Sequence, residues 1–528
     1  MSIAQEAADA AWRPRHNPWL ITVVVTLAAF MEILDTTIVN VSLPYIAGDL
    51  SSSYDQATWT LTSYLVANGI VVPISGWFGR RIGRKRYFMI CIIMFSVCSF
   101  LCGSSTSLGQ LVLFRLMQGF FGGGLQPNQQ AIVLDVTPPE LRGRAFGVVS
   151  IAVVFAPIIG PTLGGWITDS FSWRWVFFIN VPVGILTFIL VGRLVEDPPW
   201  VLRARDRDNR ADVPGLMLIA LAIGAMQIML DRGEDAGWFG SPQIQLLAFV
   251  AALCWVGAIF WLTERRHPLV NLGTFRDRNF SVACLMVVAL FAVLYSSGVL
   301  IPKLAQVQLG YSALLAGLVL TPGAIVVLLL IPIVTRVLMP RIETRLIIAF
   351  GFIVLGFSML YTSSLAPDLD FRTLMLMRIT QSAGMGLLFI PISTSAYMTL
   401  PRELNTDAAS LYVLVRNIAG SAAISISTAF ATTLGQSSMA HLSTHLNPAN
   451  SGYRETLARV SEALVALGHA PAAINTQALG WMYQTLQAQA AFVAYRDVFM
   501  YCAVIAFATV PLTFLFSRIR AGGRRGGH

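Results

Sequence analysis

"PWLITVVVTLAAFMEILDTTIVNVSLP", residues 18–44, decides the fold class. The run exceeds the roughly 20 apolar residues that cross a bilayer. It is too long for a signal-peptide core of about 7–15 residues and ends in no small-residue cleavage pattern. It is therefore expected to stay in place as the first membrane helix. Two acids interrupt it, Glu32 and Asp35. Residues three apart lie on nearly the same face of a helix. Charge at bilayer depth is costly and marks a functional site by default.

The rest of the chain agrees with a membrane reading. Of its 528 residues, 55% are hydrophobic and 12% charged, against about 25% charged in soluble domains; mean hydropathy is +0.67. The net charge of +9 sits in short loops between apolar runs, including Arg13 and Arg15, the run Arg80–Arg86, Arg142 and Arg144, and Arg518–Arg525. That pattern fits the positive-inside rule and not a nucleic-acid surface. The six cysteines, Cys91, Cys98, Cys102, Cys254, Cys284 and Cys502, lie in apolar segments without metal spacing. They read as buried free thiols.

Apolar runs between breakers predict an all-α polytopic membrane protein of fourteen helices: about 19–43, 57–79, 86–104, 109–136, 142–168, 173–194, 213–231, 243–263, 280–303, 313–335, 344–364, 371–399, 405–434 and 496–518. An even count keeps both basic termini on the cytoplasmic side. The expected organisation is an N-terminal six-helix bundle over 1–204 and an inserted helix pair with cytoplasmic linkers over 205–270. Helices nine to thirteen follow over 271–434, then a periplasmic segment, a cap or adaptor contact, over 435–495. The last helix and a cytoplasmic tail occupy 496–528.

Four stretches carry candidate chemistry. In "LVLFRLMQGFFGG", Arg115 is an intramembrane cation with Gln118 one turn on. Counted inward from the outer helix ends, Arg115 lies about 9 Å deep and Asp35 about 12 Å deep, so a carboxylate–guanidinium contact across the bundle is geometrically possible. Asp35, Glu32 and Arg115 form the candidate proton-coupling set. Asn40, Gln118, Gln126, Arg378 and Arg416 are candidates for the substrate cavity. "GWFGRRIGRKR" supplies Gly76, Arg81, Gly83 and Arg84, suited to close helix approach, a tight turn and anchoring at an anionic leaflet. "FAPIIGPTLGGWI" supplies Pro157, Gly160, Pro161, Gly164 and Gly165, a bend beside a small-xxx-small contact. Glu32 can tune Asp35, contact substrate or face a wet cavity; the sequence leaves all three open.

Together these stretches resemble the fourteen-helix drug–proton antiporters of the major facilitator superfamily. "LDTTIVNVSLP" is similar to that family's first-helix signature. "GWFGRRIGRKR" resembles the superfamily loop between helices two and three. Arg115 with Gln118–Gly119 matches its fourth-helix motif, "GPTLGG" its antiporter motif, and "LVRNIAGSAAISISTAF" its thirteenth helix. "DRNFSVACL", "FFINVPVG", "QIMLDRG" and the long final outer segment look most like the inner-membrane subunits of bacterial tripartite efflux pumps. The resemblance implies two six-helix bundles plus two inserted helices, rocking about a midplane site. It further implies a proton-driven exporter of lipophilic drugs and toxic amphiphiles in the bacterial inner membrane. Such a protein needs no cofactor beyond the proton gradient. It would work in the lipid bilayer with a periplasmic membrane-fusion adaptor and an outer-membrane channel. The alternative is a proton-coupled transporter of a specific metabolite or fatty acid. Enzyme chemistry is not expected. One departure stands out: the superfamily loop carries an acid where this chain has Arg80, so the locking charge pair attributed to that acid cannot form in its usual way.

Overall fold

The computed structural model describes residues 12–205, 212–265, 268, 270–311, 313–364, 369–401, 404–444, 446–447, 450–467 and 471–517. The tail from 518 onward and parts of both expected linkers lie outside the described residues. The regular structure within them is entirely helical.

The first half comprises α1 (Pro18–Asp49), α2 (Tyr54–Ile82), α3 (Arg84–Gly103), α4 (Leu108–Gly122), α5 (Leu125–Val136), α6 (Arg142–Ser170) and α7 (Asn180–Leu194). Two further helices follow, α8 (Val213–Arg232) and α9 (Pro242–Glu264). The second half comprises α10 (Arg278–Val307), α11 (Ala313–Ile333), α12 (Thr344–Ser363), α13 (Phe371–Ala396), α14 (Asn405–Ser443), α15 (Ser451–Ala466) and α16 (Pro471–Thr509). Local chemistry sets the starts. Asn17 caps α1 with Pro18 behind it, Ser53 and Gln56 form a capping box on α2, and Asp277 and Asp370 cap α10 and α13. Gly83, at φ +98°, makes the turn between α2 and α3, a conformation that L side chains rarely adopt.

Among the described residues, twelve helices are long and apolar enough to cross a membrane. Two other expected segments are broken. The first, α6, bends by 45° between Pro157 and Ile159, where the proline removes a backbone donor. The other is α4 followed by α5. Their break at Gly123 and Gly124 lets α2 approach: a Cβ on Gly123 would lie 2.6 Å from the Asn68 carbonyl oxygen.

In the first bundle, α1 packs on α6, α5 and α7, while α4 packs on α2 and α3. In the second, α10 packs on α14 and α13, while α13 packs on α11 and α12. The bundles meet along α6–α11 and along α14 against α2 and α5. The inserted α8 bridges α2 and α14: Asp231 accepts from Thr62, and Gln227 donates to Ser421 at 3.1 Å. Its partner α9 exposes Leu246, Phe249, Leu253, Val256 and Phe260. That three-four spacing is one helix face, apolar and turned outward as a lipid-facing surface requires.

Two helices overrun their expected ends. The thirteenth segment was expected to stop at 434 and the last to begin at 496, but α14 continues to Ser443 and α16 starts at Pro471. Each has 39 residues, or about 58 Å of helix at 1.5 Å per residue, against a hydrocarbon core of about 30 Å. Hydropathy marks where lipid contact begins, not where the helix begins. Between the two, α15 packs on α16.

Candidate functional site

The acids of α1 face two different networks. Asp35 is fully buried. Its Oδ2 accepts from Arg115 Nη1 at 2.5 Å, and its Oδ1 accepts from Gln118 Nε2 at 3.1 Å and Asn180 Nδ2 at 2.7 Å. Arg115, also fully buried, donates through Nε to the Thr60 carbonyl at 3.1 Å and through Nη1 to Gln118 Oε1 at 2.9 Å. The Tyr64 ring lies 4.1 Å from its guanidinium carbon, a cation–π contact strengthened by desolvation. Helices α1, α2, α4 and α7 thus converge on one ion pair inside a single bundle. Breaking such a pair would strand a charge.

Glu32, one turn away, belongs to the interface between bundles. Its Oε1 accepts from Asn68 Nδ2 at 3.0 Å and the Tyr64 hydroxyl at 3.2 Å, and its Oε2 accepts from Gln126 Nε2. Gln126 Oε1 in turn accepts from Arg416 Nη2, on α14 of the opposite bundle. Arg416 is buried beside the Phe291 ring, and its Nη1 has no hydrogen-bond partner. A single glutamine therefore relays between a carboxylate in one bundle and a guanidinium in the other. Tyr64 links the two networks, its hydroxyl donating to Glu32 and its ring lying on Arg115.

The structure brings Asp35, Arg115 and Gln118 together, and separately Glu32, Gln126 and Arg416. It does not join Asn40, which is exposed further along α1 and makes none of these hydrogen bonds. Arg378 is buried in the second bundle, away from both sets. Sequence reasoning missed Thr60, Tyr64, Asn68 and Asn180. Asn68 and Asn180 carried a signal, being amides inside apolar runs. Tyr64 carried none, because its ring suits any core.

The motif residues take distinct places. Gly160 and Gly164 of α6 pack on α1: a Cβ on Gly160 would overlap Thr37, and one on Gly164 would lie 3.0 Å from the Ile38 carbonyl oxygen. Gly165 is looser, with Val41 at 3.8 Å. The hinge of α6 is thus set against the turn that follows Asp35. At the end bearing the basic loop, a Cβ on Gly76 would lie 3.1 Å from Ser410 Oγ. Gly83 sits at the turn, Arg81 lies over the Trp77 ring and Arg84 pairs with Asp135.

At Arg80 the pairing departs from the usual one, as the sequence implied. Arg80 forms an ion pair with Asp407 of α14, across the two bundles. A charge pair does form at this position, with its polarity reversed, because the acid stands on the facing helix. Ser75 and Ser410 at 3.1 Å, the Tyr397 hydroxyl donating to Gln130 at 2.9 Å, and Arg142 donating to the Tyr397 carbonyl at 2.8 Å join the bundles at the same end.

Comparison with known proteins agrees with this architecture. The model of the Major Facilitator Superfamily matches residues 25–424. The chain is 38% identical over 436 residues to the multidrug export protein EmrB of Haemophilus influenzae, covering 82% of this chain and 84% of that one. It is 34% identical over 510 residues to the multidrug export protein EmrB of Escherichia coli, covering 96% and 97%. Among solved structures, the proton:xylose symporter XylE bound to a deoxyglucose analogue superposes with a TM-score of 0.55 at 15% identity, covering 95% and 99%; that likeness concerns the fold.

Proposed function

This chain belongs to the major facilitator superfamily, and from that premise we propose that it is a proton-driven multidrug exporter of lipophilic and amphiphilic compounds. Export as such is supported by the relatives, both multidrug export proteins that match most of their own length. Proton coupling rests on the buried Asp35–Arg115 pair. The substrate range rests on the resemblance and on the short supply of acids at the site.

The chemistry follows from the donors around Asp35. As a carboxylate it accepts from three side chains at once. Protonated, it loses the charge that holds Arg115 and turns one acceptor into a donor. Arg115 then keeps only the Thr60 carbonyl and Gln118. That shift loosens α1 from α4 and α7, beside the glycine contact of α6. Glu32 and Arg416 respond in the cavity: a substrate entering between Gln126 and Arg416 interrupts the relay and biases the rocking of one bundle on the other. The Arg80–Asp407 pair and its neighbours close the opposite end during proton uptake.

With the basic loops in the cytoplasm, the overrunning ends of α14 and α16, together with α15, stand on the periplasmic side. They expose Val465, Leu467, Trp481 and Tyr483, apolar and aromatic side chains of the kind that contact with a membrane-fusion adaptor would bury, the adaptor passing substrate to an outer-membrane channel. The deciding experiment is substrate-induced proton release by the purified protein. Wild type should release protons on addition of a lipophilic substrate, and Asp35→Asn should release none while folding normally. Undiminished release by Asp35→Asn would remove Asp35 from the coupling step.

A further inference from the structure

The fourth helical segment of each bundle carries an arginine followed one turn later by a glutamine: Arg115 and Gln118 on α4, Arg378 and Gln381 on α13. The local geometry repeats. Each arginine donates through Nη1 to its glutamine's Oε1, at 2.9 Å and 2.7 Å. Each also reaches the first helix of its own bundle, Arg115 at Asp35 and Arg378 at Ser297.

The copies differ in the acid. Where the first bundle has the Asp35 carboxylate, the second has a serine hydroxyl 3.5 Å from Arg378 Nη1, itself donating to the Leu294 carbonyl. Two donors are left over, and one of them, the Gln381 amide, is the counterpart of the Gln118 amide that donates to Asp35. Arg378 Nε has no partner, and Gln381 Nε2 faces only the Met359 sulfur at 3.8 Å, a weak acceptor. No carboxylate among the described residues forms an ion pair with Arg378. Yet Arg378 is 3% exposed, and Gln381 and Ser297 are fully buried. A buried guanidinium without a counter-charge is strongly unfavourable.

We propose that a small inorganic anion of chloride size replaces the missing carboxylate, held by Arg378 and Gln381 beside Ser297. Size follows from the exchange: serine is smaller than aspartate by one carbon and one oxygen, a difference that suits a monatomic ion and nothing much larger. Gly323 packs against the stem of this arginine, where a Cβ would lie 2.9 Å from Arg378 Cγ. The site uses neither Asp35 nor Glu32 and stands independently of proton coupling.

The test is the thermal midpoint of the purified full-length protein in sodium chloride, sodium bromide or sodium gluconate at equal ionic strength. A ligand that binds only the native state stabilises it by RT ln(1 + L/Kd), with L the free ligand concentration, so the midpoint climbs with the logarithm of concentration above Kd. Chloride and bromide should each raise it by several degrees relative to gluconate, and further with increasing concentration. Ser297→Asp, which tethers a carboxylate in the same place, should abolish the halide response and hold the midpoint near the halide-bound value of wild type. Should that variant fail to fold, Gln381→Leu should weaken the apparent halide affinity several-fold. Equal midpoints in chloride and gluconate would overturn the proposal, as would a full halide response in Ser297→Asp or an unchanged affinity in Gln381→Leu. A response to sodium laurate with none to halide would assign Arg378 to a substrate headgroup instead.

Discussion

Replacing Asp35 by asparagine tests how the first bundle is held together. The change keeps the shape of the side chain and removes one charge. Arg115, with no exposed surface, is then a buried cation without its counter-ion. The asparagine carbonyl can accept from Arg115 Nη1, but its amide nitrogen then faces two donors, Gln118 Nε2 and Asn180 Nδ2, which now hold the other carboxylate oxygen. Removing one partner of a buried pair costs about 3–5 kcal/mol. With an unfolding entropy of roughly 2.1 cal/mol/K per residue, a chain of this length should lose about 3–5 °C of thermal midpoint. The double variant Asp35→Asn with Arg115→Gln removes both charges and should recover most of that loss, since neutral replacements of a buried pair are often nearly neutral in stability. The assay is thermal unfolding of wild type, both single variants and the double variant in one detergent, read as a double-mutant cycle. A coupling energy near zero would refute the reasoning, because Arg115 would then be held by its neutral partners and not by the charge of Asp35. Neither the single nor the double variant should couple export to protons.

Three further perturbations separate the other parts. Charge reversal at Arg80→Asp should open the end bearing the basic loop, because two acids would face each other across the bundles; adding Asp407→Arg should close it again, as read by spin-label distances between α2 and α14. Glu32→Gln should retain substrate-induced proton release but change the ranking of substrates in an efflux assay, because it weakens the relay to Arg416 and leaves the Asp35–Arg115 pair in place; loss of proton release would place Glu32 in the proton path. Gly160→Val should reduce transport by more than tenfold with the protein still in the membrane, since the added carbons overlap Thr37 on α1 and the misfit falls at the hinge; a fully active variant would show that α6 does not need that close approach.

The relation of sequence to structure differs from residue to residue. All-helical architecture and membrane class are properties of local composition, so a one-dimensional reading recovers them. The contact of Asp35 with Arg115 was also legible, because depth along two neighbouring helices follows from counting residues. The partners of Glu32 were not. Three residues along α1 turn the side chain by only about 60°, yet that turn moves it from the interior of one bundle to the seam between two. The partner of Arg80 was hidden for the same reason: its acid, Asp407, lies on a helix from the far half of the chain. The helix overruns were hidden because mixed polar sequences carry no hydropathy signal, although they satisfy helical propensity.

The sequence by itself determined an all-helical membrane protein with basic loops on one side, a bend in α6 and a buried acid opposite a buried arginine. These follow from hydrophobic length, proline chemistry and depth. The tertiary structure decided which acid faces which bundle, that Arg80 finds its partner across the interface, and that Arg378 repeats the setting of Arg115 without a carboxylate. Those outcomes depend on the rotation of each helix about its axis and on which helices are neighbours, quantities fixed by packing between segments far apart in the chain.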